Sequence, residues 1–127
     1  KKIKKYDTIG DIMKGILINP FDETIKEVVV TNDYKDIYLM IDCSTFDLAR
    51  VSESDDLFID DEGLLKNPTR YFSWSGRPFA GKGLVLSHNE DGDTMSTTYD
   101  LHEVVDRVEF LPEGHIEEPY MEFKILS

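Results

Sequence analysis

Turn signals cut this chain into pieces that suit hairpins and brief helices. Asn19-Pro20 ends the apolar run Lys14-Gly15-Ile16-Leu17-Ile18, and Asp61-Glu62-Gly63 closes Leu57-Phe58-Ile59. Asn89-Glu90-Asp91-Gly92-Asp93 separates residues 82–88 from the Thr-rich residues 94–99. Proline cannot donate to a ladder, and Asp-Gly tolerates the positive φ of a tight reversal. Parallel sheets need long crossovers, and this sequence has few segments able to supply them.

The pieces between the turns take clear periodicities. Residues 14–18, 24–30, 46–51, 57–59, 82–88 and 94–99 read as strands, with Val28-Val29-Val30 the most β-prone run. Tyr34, Ile37, Tyr38 and Ile41 recur at helical spacing behind the capping residues Thr31, Asn32 and Asp33. Leu101, Val104, Val105 and Val108 fall at i, i+3, i+4 and i+7, with Asp100 and Glu103 placed as a capping box and Pro112 as the stop. Residues 64–81 read as irregular, and residues 120–126 as a terminal strand. The expected fold is α+β: a single domain over 13–127, a mainly antiparallel sheet of hairpins, and two short helices on one face. Residues 1–12 are expected to form a basic N-terminal tail or an added strand.

Charge is sorted along the chain. Residues 40–62 carry eight carboxylates against Arg50, and residues 90–123 carry eleven against Arg107. Residues 63–89 carry Lys66, Arg70, Arg77 and Lys82 and no carboxylate, together with Tyr71, Phe72, Trp74 and Phe79. A net charge of −12 repels nucleic acid and anionic membranes, so no direct nucleic-acid binding and no membrane binding are expected. The 40 % apolar content is enough for a core, which separates the chain from disordered acidic polymers. The single cysteine, Cys43, allows no intrachain disulfide and no thiolate zinc cluster. No metal or cofactor is expected, and the compartment is expected to be the cytoplasm.

Several stretches could carry chemistry. Residues 76–83 approach a P-loop, but Gly83 stands where a magnesium-binding hydroxyl belongs, and a strand rather than a helix follows. Arg70, Trp74, Arg77 and Lys82 form the candidate ligand-binding set: stacking on Trp74 and cations for a nucleotide or other anion. Core packing competes for the same aromatics. Asp55-Asp56 and Asp60-Asp61-Glu62 offer oxygen ligands of the kind hard cations use, yet read first as solvated turns. Cys43 reads as a small buried hydrophobe rather than a nucleophile, and His102 as solvent-facing. No catalytic residue is assigned.

From about Met13 to Leu111 the chain resembles a family of small proteins of phages, plasmids and integrative elements, DUF3846. The resemblance rests on Met13–Pro20, Leu57–Leu65 with Asn67-Pro68, Phe79–Leu86, and the Glu90–Thr94 turn. It implies a mobile-element origin and a bacterial cytoplasm, and it brings no catalytic residues. The expected function is that of a non-enzymatic accessory protein. It would bind a host or viral protein with a basic surface, such as a defence or nucleic-acid-handling protein. The alternative is a small-ligand binder holding a nucleotide or other anion at residues 70–83.

Overall fold

A computed structural model describes residues 12–66 and 69–117. The chain runs β1 (Ile12–Asn19), β2 (Thr24–Thr31), α1 (Tyr34–Ile41), β3 (Phe46–Arg50) and β4 (Asp55–Asp60). A 3-10 turn (Gly63–Leu65) leads to β5 (Tyr71–Trp74), β6 (Arg77–Ala80), β7 (Gly83–His88) and β8 (Thr94–Met95). Then come α2 (Leu101–Arg107) and β9 (Val108–Phe110). The expected α+β class holds, with antiparallel pairing throughout the described ladders.

The larger sheet has the order β2-β1-β7-β4-β3. On one side β7 meets β4 from Asp55↔Ser87 to Ile59↔Gly83. Its other side is shared: β1 pairs with Gly83–Val85 and β8 with Ser87–His88. Alternation along each strand divides the core in two. Ile16, Ile18, Leu57 and Val85 face one side, while Met13, Leu17, Phe58, Leu84 and Leu86 face the other.

Each side has its own cover. α1 buries Ile37 and Ile41 on the second set. A smaller sheet, β6-β5-β9, and α2 cover the first, through Phe72, Trp74, Phe79 and Val104. The two helices therefore take opposite faces of the large sheet instead of sharing one. The cause is period 2: β1, β4 and β7 are apolar on both faces, so each face demands a layer.

The caps read from sequence form as expected. Asp33 accepts a hydrogen bond from the Lys35 N–H, and Asp100 and Glu103 make the reciprocal capping box. Pro112 is not the stop for α2. The helix ends at Arg107, and Val108 enters β9 opposite Trp74.

The largest difference lies in residues 64–81, where an irregular segment was expected. Residues 71–80 form a hairpin around Ser75-Gly76, which have φ of 49° and 88°. Two positive φ values match the right-handed twist of a two-residue hairpin turn. Pro78 is tolerated because β6 is an edge strand. Among residues 94–99, only Thr94–Met95 is strand. The expected tail and terminal strand fall at 1–11 and 120–126, outside the described residues; Ile12 already belongs to β1.

Candidate functional site

The β5–β6 hairpin splits the four candidate ligand-binding residues into two pairs. Trp74 and Arg77 lie opposite each other beside the turn. Arg70 and Lys82 lie at the open end, where the Gly81 N–H donates to the Arg70 carbonyl at 2.8 Å. Four residue steps from Arg70 to Trp74, and five from Arg77 to Lys82, separate the pairs, roughly 13 Å or more at about 3.3 Å per residue.

Their side chains are engaged in different ways. Trp74 is buried in the core and meets Tyr99 edge-on, centroid to centroid 5.5 Å. A base could not stack on it without displacing that packing. Arg77 is exposed, its guanidinium 5.0 Å from the Phe79 ring centroid. Arg70 pairs with Glu23 at 3.2 Å and Lys82 with Asp42 at 2.5 Å. Tyr71 and Phe72 are buried as well. Residues 111–117 cover the outer side of Tyr71: His115 meets its ring edge-on, and the Glu117 N–H donates to its hydroxyl at 3.2 Å.

The P-loop-like stretch is β6 followed by the turn into β7, so no helix offers its amides to a phosphate there. The same turn does help shape a small cleft, of about 80 Å³, with Phe21, Ile41, Asp42, Asp60, Gly63, Lys66, Thr69, Gly81 and Lys82 around it. Two lysines meet two aspartates at this cleft: Lys66 Nζ is 2.5 Å from Asp60, as Lys82 Nζ is from Asp42. The hydrogen bond to Asp60 raises the Lys66 pKa above its usual value. Cys43 lies beside the same groups. Burial, with the Asp60 and Asp42 carboxylates adding to it and Lys66 opposing, pushes its pKa up to about 11. Cys43 is therefore a protonated thiol at neutral pH, a poor nucleophile.

Three carboxylates expected in solvated turns are buried: Asp55, Asp56 and Asp60. Asp55 and Asp56 start β4 and Asp60 ends it, so their side chains belong to the sheet rather than to the flanking turns. Asp55 is fully buried and accepts from the Thr97 hydroxyl at 2.8 Å and the Thr98 N–H at 3.0 Å. The Ser54 and Thr98 hydroxyls also donate to it. Asp56 sits 2.7 Å from His88 Nδ1 and 3.8 Å from Arg50 Nε. Sequence periodicity could not reveal this, because the Thr97 and Thr98 donors to Asp55 lie more than forty positions away. Among the described residues, no three His, Cys, Asp or Glu side chains gather as a metal-holding group. His102 is solvent-facing, as read from sequence, and pairs with Asp106.

The exposed charge is lopsided. Among the described residues, sixteen Asp and Glu are exposed against six Lys and Arg. Glu53, Glu90, Asp91 and Asp93 share one end of the large sheet, because the His88 N–H donates to Ser54 O at 2.9 Å and holds the two turns together. The cleft lies at the other end.

Fold and surface define a small α+β protein of two packed antiparallel sheets, its buried carboxylates held by hydroxyls and a backbone N–H at Asp55, by His88 and Arg50 at Asp56, and by the exposed Lys66 at Asp60. The chain belongs to the family described as Domain of unknown function (DUF3846), whose model matches residues 13–109. No curated protein and no solved structure matches the chain. No described helix is long and apolar enough to cross a membrane.

Proposed function

We propose that this chain is a non-enzymatic accessory protein of a phage or other mobile element, working in the bacterial cytoplasm. It binds a host or viral protein that presents a basic surface, such as a defence or nucleic-acid-handling protein. The observation that carries this reading is the exposed excess of carboxylates, sixteen against six cations among the described residues. Fixed carboxylates on a folded scaffold can occupy a groove built for phosphates, and complementary fields speed the encounter. Two of the four cations that suggested an anion site, Arg70 and Lys82, already meet carboxylates of this chain, which weakens the nucleotide alternative.

The test is capture from nuclease-treated bacterial lysate at rising salt, comparing the natural chain with a variant carrying Glu53→Gln, Glu90→Gln, Asp91→Asn and Asp93→Asn. A specific partner is expected, released by salt and weakened by the variant. A partner set unchanged by either would refute the reading. Thermal shifts against a nucleotide panel run alongside. Stabilisation lost on Arg77→Ala would favour the small-ligand alternative instead.

A further inference from the structure

The large sheet ends on one side at β3, and among the described residues no strand pairs with the outer edge of β3. The ladder fixes which backbone groups point outward. The Asp61 N–H donates to Thr45 O, and the Val51 N–H to Asp55 O. Hydrogen-bonded pairs alternate along an antiparallel ladder, so Thr45, Asp47, Ala49 and Val51 face β4. Phe46, Leu48 and Arg50 turn their N–H and C=O groups outward.

The same three residues carry their side chains on the α1 face: Phe46 packs against α1, and Leu48 and Arg50 are exposed beside it. An aromatic series runs from the core to the surface there: Phe58 to Phe46 at 5.0 Å, then Phe46 to Tyr34 at 5.6 Å and to Tyr38 at 5.4 Å. Tyr34 is 56 % exposed, and Leu48, opposite Phe58 in the register, is 50 % exposed. An open backbone edge and an apolar ledge thus lie side by side.

Charge selects the occupant. Asp47 is exposed in the middle of the strand, Glu53 beyond one end, and Asp61 and Glu62 beyond the other. Against them stand Arg50, and Lys66, which Asp60 already holds. Asp47 also bends back over the edge: its carboxylate accepts the outward Leu48 N–H at 2.9 Å. An incoming strand without a cation meets that carboxylate. One that brings Lys or Arg draws Asp47 off and frees the N–H. Acidic guarding of this kind suppresses indiscriminate edge pairing.

We infer that the outer edge of β3 is a docking site for an extended segment of a partner protein that alternates apolar and basic residues. The segment adds a strand to the large sheet, its apolar side chains resting on Tyr34, Phe46 and Leu48 and its cations meeting Asp47, Glu53 and Asp61. The inference rests on the acidic-binder reading and names the part of the surface that carries it.

The test selects random displayed peptides on the full chain, then measures the affinity of those enriched by fluorescence anisotropy. Enriched peptides are expected to alternate apolar and basic residues. Leu48→Lys is expected to weaken them about ten-fold or more, as for the centre of an interface. Arg50→Gln, which removes a cation, is expected to tighten them, a gain that misfolding cannot imitate. Exchange of the Arg50 amide should slow on binding. Enriched peptides without Lys or Arg, peptides indifferent to Leu48→Lys, or no enrichment overturn the inference. Peptides indifferent to Leu48→Lys but weakened by changes at Glu90, Asp91 and Asp93 would remove the β3 site and leave the acidic-binder reading in place.

Discussion

Asp55 should tolerate asparagine and reject alanine. The carboxylate is fully buried, and among the described residues no cation pairs with it. Hydrogen bonds hold it, and they divide unequally between its two oxygens. Oδ1 accepts from the Thr97 hydroxyl and from the Thr98 N–H, a donor that cannot reverse. Oδ2 accepts from hydroxyls, those of Ser54, Thr98 and, at 3.4 Å, Ser52. A hydroxyl can rotate to accept instead.

In the Asp55→Asn variant the new side chain would keep its carbonyl toward Thr97 and Thr98 and present its amide hydrogens to the hydroxyls. The expected cost is at most about 1 kcal/mol, because every buried partner remains satisfied. Asp55→Ala removes all the acceptors at once. It leaves the Thr98 N–H without a partner and the buried Thr97 hydroxyl without an acceptor for its hydrogen, although that oxygen still accepts the Tyr99 N–H. Each lost bond costs roughly 1–3 kcal/mol when fully desolvated. Thr98 is exposed, so water recovers part of this, and about 3 kcal/mol is expected overall. Urea unfolding followed by circular dichroism measures both variants. For a domain of this length the alanine variant should lose on the order of 10 °C in Tm. If asparagine proves as damaging as alanine, the charge itself is required and the acceptor argument fails. If alanine lies within about 0.5 kcal/mol of the natural chain, Asp55 does not anchor the segment at 97–98 at all.

Three further outcomes are expected. Gly83→Ala would bring a Cβ to 2.7 Å from Phe72 Cζ and 2.9 Å from Leu57 Cδ1, both in fully buried side chains, so a loss of about 2 kcal/mol should appear in the same unfolding assay. Cys43 should alkylate slowly at pH 8 and speed up with a midpoint near 11 rather than 9.0, the ordinary thiol value. The folded state keeps this proton after the unfolded chain has lost it. The stabilisation tied to Cys43 is thus complete below pH 9 and lost as pH rises toward 11, and alkaline melting curves of Cys43→Ala should fall less steeply over that window. A midpoint at the free-thiol value would refute the burial argument.

Legibility in this sequence follows the range of the interaction that decides each feature. The β1–β2 hairpin, both helix caps and the turn at Asn89–Asp93 are set by residues within a few positions of one another, and they form where the sequence places them. The β5–β6 hairpin was legible in principle. Ser75-Gly76 lies between aromatic and apolar runs and is its turn, but the glycines at 76, 81 and 83 and Pro78 imitate a loop. The fate of the charges was not legible. Glu23 meets Arg70 from 47 positions away, and Lys82 meets Asp42 from 40. Linear segregation of charge brings basic and acidic segments together when the chain compacts, because unlike charges attract and a cation near the core needs a partner. A basic block in an acidic chain is thus pulled toward neutralisation by its own protein. What reaches the outside is the surplus, and here the surplus is negative. The excess of carboxylates therefore says more about a partner than the cationic block does. The β3 edge is where that excess lies beside exposed apolar side chains and open backbone groups.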